Sequence, residues 1–108
     1  FDVTLASTSS NDFTIPTKYS LGNNYPNPFN PITRISYGLP KDSNVSITVY
    51  DINGRVVNLL IDSDQPAGQG SIIWNGKNDA GMSVAAGLYF YKMQAGTFHQ
   101  TNKMILLK

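Results

Sequence analysis

Val45-Ser46-Ile47-Thr48-Val49-Tyr50-Asp51-Ile52-Asn53-Gly54-Arg55-Val56-Val57 is the stretch that decides the fold. Val45, Ile47 and Val49 alternate with Ser46, Thr48 and Tyr50, and this two-residue period gives a strand one apolar face to bury. Asn53-Gly54 then supplies a turn, because both residues tolerate positive φ, and residues 55–61 return as the partner strand of a hairpin.

The same rhythm runs outward in both directions. Residues 33–39 place Ile35, Tyr37 and Leu39 on one face, and residues 40–44 turn the chain into the hairpin. Beyond it, residues 62–70 read as a loop, 71–74 as a short strand and 75–81 as a turn-rich connection. Residues 87–95 alternate Tyr89, Tyr91, Met93 and Ala95 against Leu88, Phe90, Lys92 and Gln94. Residues 98–108 close the chain in the apolar run Met104-Ile105-Leu106-Leu107, which is expected between other strands, since an apolar edge invites unwanted pairing. Turn signals at intervals of about 8–12 residues predict an all-β fold, an immunoglobulin-like antiparallel sandwich of about seven strands.

Composition agrees. All 7 acids are Asp and Glu is absent, a skew toward turn residues and away from helix formers. The 108 residues suffice for one core without metal or disulfide staples, and with no Cys, thiolate chemistry is excluded. The 8 Lys and Arg are scattered singly, which argues against nucleic acid, and no apolar run is long enough for a transmembrane segment. Residues 1–17 stand apart: Phe1, Val3 and Leu5 alternate with polar or small neighbours, and Ser7-Thr8-Ser9-Ser10-Asn11-Asp12 reads as a tether. They form an N-terminal extended arm or linker ahead of a domain at 18–108, and residues 1–6 offer possible self-association by strand addition. A first residue that is Phe, not Met, predicts an excised or processed piece of a longer product.

No catalytic, cofactor-binding or metal constellation emerges. His99 is a lone mid-strand His, Ser83 lacks the nucleophile-elbow context, and the glycines at 68, 70 and 76 do not match a phosphate cradle. Asn75, Asn78 and Asp79 could hold calcium weakly, but the same residues are what a tight turn demands. Tyr25-Pro26-Asn27-Pro28-Phe29-Asn30-Pro31 is the most unusual stretch. It reads either as a recognition motif or as a stiff loop that packs Phe29 into the core. Trp74, Tyr89 and Tyr91 are expected in the core, with Tyr89 as a tyrosine corner. Tyr50 and Phe90 are better candidates for exposure, for instance on a carbohydrate-binding face.

Asn24 to Pro31, Val49 to Val57, Trp74-Asn75-Gly76, Ala86 to Tyr91 and Lys103-Met104-Ile105-Leu106-Leu107-Lys108 together resemble the C-terminal sorting domain of type IX secretion cargo. That family is similar in turn to the Ig-like domain of flagellar hook-capping proteins. The resemblance implies a non-catalytic module at the end of a larger secreted bacterial protein. Such a module is read by an outer-membrane secretion translocon or surface-attachment machinery, and the protein ends up secreted or on the outer cell surface. Tyr25 to Pro31, with Lys103 and Lys108, would carry the recognition. The alternatives are a structural module of a surface assembly, joined through its N-terminal arm, and a carbohydrate-binding accessory module.

Overall fold

A computed structural model describes residues 15–107, so most of the arm or linker expected over residues 1–17, including the possible self-association segment 1–6, and Lys108 lie outside the described residues. Among the described residues seven strands follow in order: β1 Ser20–Leu21, β2 Thr33–Leu39, β3 Ser43–Tyr50, β4 Val56–Gln65, β5 Gly68–Trp74, β6 Gly87–Ala95 and β7 Phe98–Leu106. They form two antiparallel sheets, one ordered β1-β2-β5 and the other β4-β3-β6-β7. No helix occurs among the described residues. The all-β, immunoglobulin-like class expected from the sequence is the observed one.

The core is assembled from the alternating positions. Ile35, Tyr37 and Leu39 of β2 meet Val45, Ile47 and Val49 of β3 and Tyr89, Tyr91, Met93 and Ala95 of β6 in one buried cluster, closed by Trp74, Met104 and Leu106. Trp74 is fully buried, stands edge-on to Tyr89 at 5.3 Å and donates its Nε1–H to the Lys77 carbonyl at 2.8 Å. The Tyr89 hydroxyl donates to the Ala85 carbonyl, four residues upstream, at 2.6 Å. This is the bond pattern of a tyrosine corner, and it ties the turn before β6 to the core.

Three expectations are corrected. Residues 62–70 are not a loop: β4 runs on through Gln65, opposite Ser43, and β5 already begins at Gly68, opposite Leu39. Asp62, Ser63 and Asp64 carry no apolar alternation, so the signal vanished even though the backbone ladder continues. The turn after β2 is correspondingly shorter, since β3 starts at Ser43. The final apolar run does not lie between strands either. Among the described residues β7 is an edge strand; Met104 and Leu106 face the core, while Ile105 and Leu107 remain 42% and 49% exposed.

The β3–β4 connection is longer than a two-residue hairpin. Gly54, at φ 81°, donates its N–H to the Asp51 carbonyl, and the Asp51 carboxylate accepts the backbone N–H groups of Asn53 and Arg55. The Arg55 backbone N–H above all holds the Asp51 carboxyl below the usual range.

Gly70 of β5 has a different role. It pairs with Tyr37, whose ring lies over it so closely that a Cβ there would sit 2.4 Å from Tyr37 Cζ. Gly70→Ala is therefore expected to cost about 1–3 kcal/mol by overpacking. A urea melt would show it, and adding Tyr37→Leu should recover part of the loss. A Gly70→Ala chain with the parent midpoint would contradict this packing.

A groove at the edge of beta-strand 7

The proline-rich loop and the last strand, although about 75 residues apart in sequence, meet at the open edge of the four-stranded sheet. Phe29 drives the approach. Its side chain is 1% exposed and tilts against Trp74 at 5.7 Å, which draws the loop onto the core. The backbone then completes the join. Phe29 donates its N–H to the Ile105 carbonyl at 3.0 Å, Leu107 donates to the Phe29 carbonyl at 2.7 Å, and Ile105 donates to Asn27 Oδ1 at 3.0 Å. The Tyr25–Pro26, Asn27–Pro28 and Asn30–Pro31 peptide bonds are cis.

Beneath the loop, Asn24 and Thr33 hold its turn. Asn24 Nδ2 donates to Thr33 Oγ1 at 3.0 Å and to the Pro26 carbonyl at 3.2 Å, and the Thr33 hydroxyl donates to the same carbonyl at 2.9 Å. Asn24 is 4% exposed, and its Oδ1 has no hydrogen-bond donor. Gly76, at φ 73°, packs against the other end of the loop: a Cβ there would approach the Pro31 carbonyl oxygen to 3.2 Å.

Between this loop and the strand lies a groove of about 850 Å³. One wall is Asn23, Asn24, Tyr25, Pro26, Asn27 and Pro28; the other is Thr101, Asn102 and Lys103, with Phe90 beside Lys103 across the β6–β7 pair. Tyr25 is 81% exposed. The floor is anchored by Tyr91, which donates its hydroxyl to the Gly22 carbonyl at 2.7 Å, and by Asn102, whose Nδ2 donates to the same carbonyl at 3.2 Å. Burial pushes the Tyr91 phenol above its ordinary pKa, against the hydrogen bonds from Asn102 and the Asn24 backbone.

The singled-out residues thus fall into three groups. Tyr25, Pro26, Asn27, Pro28 and Lys103 line the groove; Phe29, Trp74, Tyr89 and Tyr91 are buried behind or below it; Asn30 and Pro31 are exposed on the loop's return. Lys108 lies outside the described residues. Asn23, Asn24, Thr101 and Asn102 line the groove without having been marked as site residues. Only Asn24, which opens the stretch Asn24 to Pro31 that resembles a sorting domain, carried a local signal. In the 75–82 turn, Asn78 Oδ1 accepts the Ala80 and Met82 N–H groups and Asp79 Oδ1 accepts that of Leu59, so both side chains serve the backbone. No cluster of three His or acidic side chains suited to a metal occurs among the described residues.

Several solved structures share this shape. PorU from Porphyromonas gingivalis, solved as a latent dimer, superposes with TM-score 0.65 at 22% identity, over 79% of this chain and 9% of that one. PorZ from the same organism, an essential bacterial surface component of the type-IX secretion system, superposes with TM-score 0.56 at 18% identity, over 94% of this chain and 13% of that one. FlgD from P. aeruginosa is 33% identical, with TM-score 0.55, over 68% of this chain and 58% of that one. The chain spans less than two thirds of each of these proteins. No curated protein sequence matches it. Residues 30–98 match the FlgD Ig-like domain, a span that omits the groove's loop wall and all of β7 after Phe98. With more than half of its residues in that match and its strands in the corresponding sandwich, the chain belongs to the FlgD Ig-like domain family.

Proposed function

We propose that the chain is a non-catalytic sorting and surface-anchoring module of a larger secreted bacterial protein, recognised at the outer membrane by a secretion translocon through the groove at the β7 edge. The observation that carries this reading is the meeting of the loop Tyr25 to Phe29 with the strand that bears Lys103, both outside the span shared with FlgD. Residues from the first and last of the five stretches that make the sequence resemble a sorting domain line one surface. Likeness of fold to PorZ, a surface component of the type-IX system, supports the same setting, and an export route would place the protein outside the cell or on its surface.

The test is export. The module is fused behind a fluorescent protein in a bacterium carrying the type IX system, and the reporter is measured in the medium and on the surface. The parent fusion is expected to leave the cell. Lys103→Ala with Lys108→Ala should lower export while leaving the melting temperature nearly unchanged, since exposed charges usually contribute within about 0.5 kcal/mol. A parent fusion retained inside the cell would contradict the sorting reading, and full export of the double variant would contradict the role of the two lysines.

A further inference from the structure

We infer that the edge of β7 from His99 to Lys103, which no strand among the described residues covers, accepts an extended, acidic polypeptide segment of a partner protein as an added strand, with the adjoining groove receiving its side chains. This rests on the sorting reading and states how the module is read. Ile105 and Leu107 direct their backbone N–H groups, and Ile105 its carbonyl, away from β6 and toward the loop. The β6–β7 register runs without a shift from Ala95↔Phe98 to Gly87↔Leu106. In an antiparallel pair the open-side residues recur every second position, so the amides and carbonyls of His99, Thr101 and Lys103 point to the same open side. Phe29 already pairs with this edge as a single residue, and the pairing stops where the groove begins.

One further observation points to an occupant. The charges select the kind of segment. Lys103 stands in the groove, and Lys92 is the cross-strand neighbour of Thr101. The Asp side chains of the described residues lie elsewhere: Asp62 and Asp64 on β4, Asp51 in the turn before it, Asp42 bonded to the Ala67 N–H and Asp79 to that of Leu59. β4 forms the opposite edge of the sheet. An acidic strand is thus attracted to the β7 edge and repelled from the β4 edge, where Asp62 and Asp64 stand.

Two measurements test this. The isotope-labelled chain is mixed with a synthetic hexapeptide alternating valine and aspartate, or with its valine–lysine counterpart, and amide exchange is followed residue by residue. At peptide concentrations about tenfold above Kd the acidic peptide should slow exchange at His99, Thr101 and Lys103 by about tenfold. Asp62 and Asp64 should be unaffected, and the lysine peptide should protect nothing. Absence of protection at the β7 edge, or equal protection of both edges, would overturn the inference.

In the export assay, Thr101→Pro removes the central edge N–H at a position where an edge strand tolerates proline. Lys103→Glu reverses the charge without touching the backbone and serves if the proline variant does not fold. Each should cut export several-fold with the fold intact by circular dichroism. A parent fusion that is exported together with a folded, equally exported Lys103→Glu variant refutes the acidic strand alone. A parent fusion that stays inside refutes the sorting reading, and the peptide measurement still decides the edge.

Discussion

Trp74→Ala is expected to cost about 3–5 kcal/mol, a large part of the total stability of a domain this size. The indole is fully buried and touches both Tyr89 and Phe29, so truncation leaves a cavity that two aromatic neighbours cannot fill without leaving their own sites. It also strips the Lys77 carbonyl of the indole N–H and leaves it the Asn58 amide, so the 75–84 turn loses one of its ties to the sandwich. At about 4–8 °C per kcal/mol, the melting temperature should drop by roughly 10–40 °C. Trp74→Phe, which keeps most of the apolar area and loses the donor, should fall well short of that. Calorimetry of the two variants checks the ordering, and an alanine variant that melts within a few degrees of the parent would refute a central role for the ring.

Phe29→Ala should be nearly as damaging, at about 3–5 kcal/mol for a fully buried phenyl, and its damage has a distinct place. The side chain holds the proline-rich loop on the core, and the same residue's N–H and carbonyl pair with the end of β7. Loss of the ring should therefore release the amides of Ile105 and Leu107, whose exchange should accelerate more than that of amides in β3. Phe29→Leu should restore much of the protection. Because Phe29 and Trp74 are in contact, the double alanine variant should cost less than the sum of the two single changes. Additive costs, or unchanged exchange at Ile105 and Leu107, would show that the loop is held by something other than this ring.

Much of this molecule was legible because strands with one buried face write their orientation into the sequence. Val45, Ile47 and Val49, and likewise Tyr89, Tyr91, Met93 and Ala95, alternate with polar or half-buried neighbours, and all are buried as that alternation requires. Where the alternation lapses, the sequence misleads. Asp62 to Gln65 lie at a sheet edge and need no apolar partner, so a regular ladder reads as a loop. Gly68-Gln69-Gly70 reads as the end of that loop, yet Gly70 is a strand position cleared for the ring of Tyr37.

The groove was only half visible. Tyr25 to Pro31 attract notice as local chemistry, since three prolines in seven residues leave few backbone donors for a ladder. Thr101 and Asn102 carry no such mark, because their importance comes from what lies opposite them. The sequence by itself determined the sandwich class, the inward face of each alternating strand and the unusual character of the proline-rich loop. All of these depend on periods and backbone restrictions of a few residues. Only the tertiary structure decided that β7 stands at an edge, that Phe29 pairs with it, and that Lys103 and Tyr25 share a groove. Strand order within a sheet is set by which faces and edges find each other across the whole chain, and no local pattern of side chains encodes that choice.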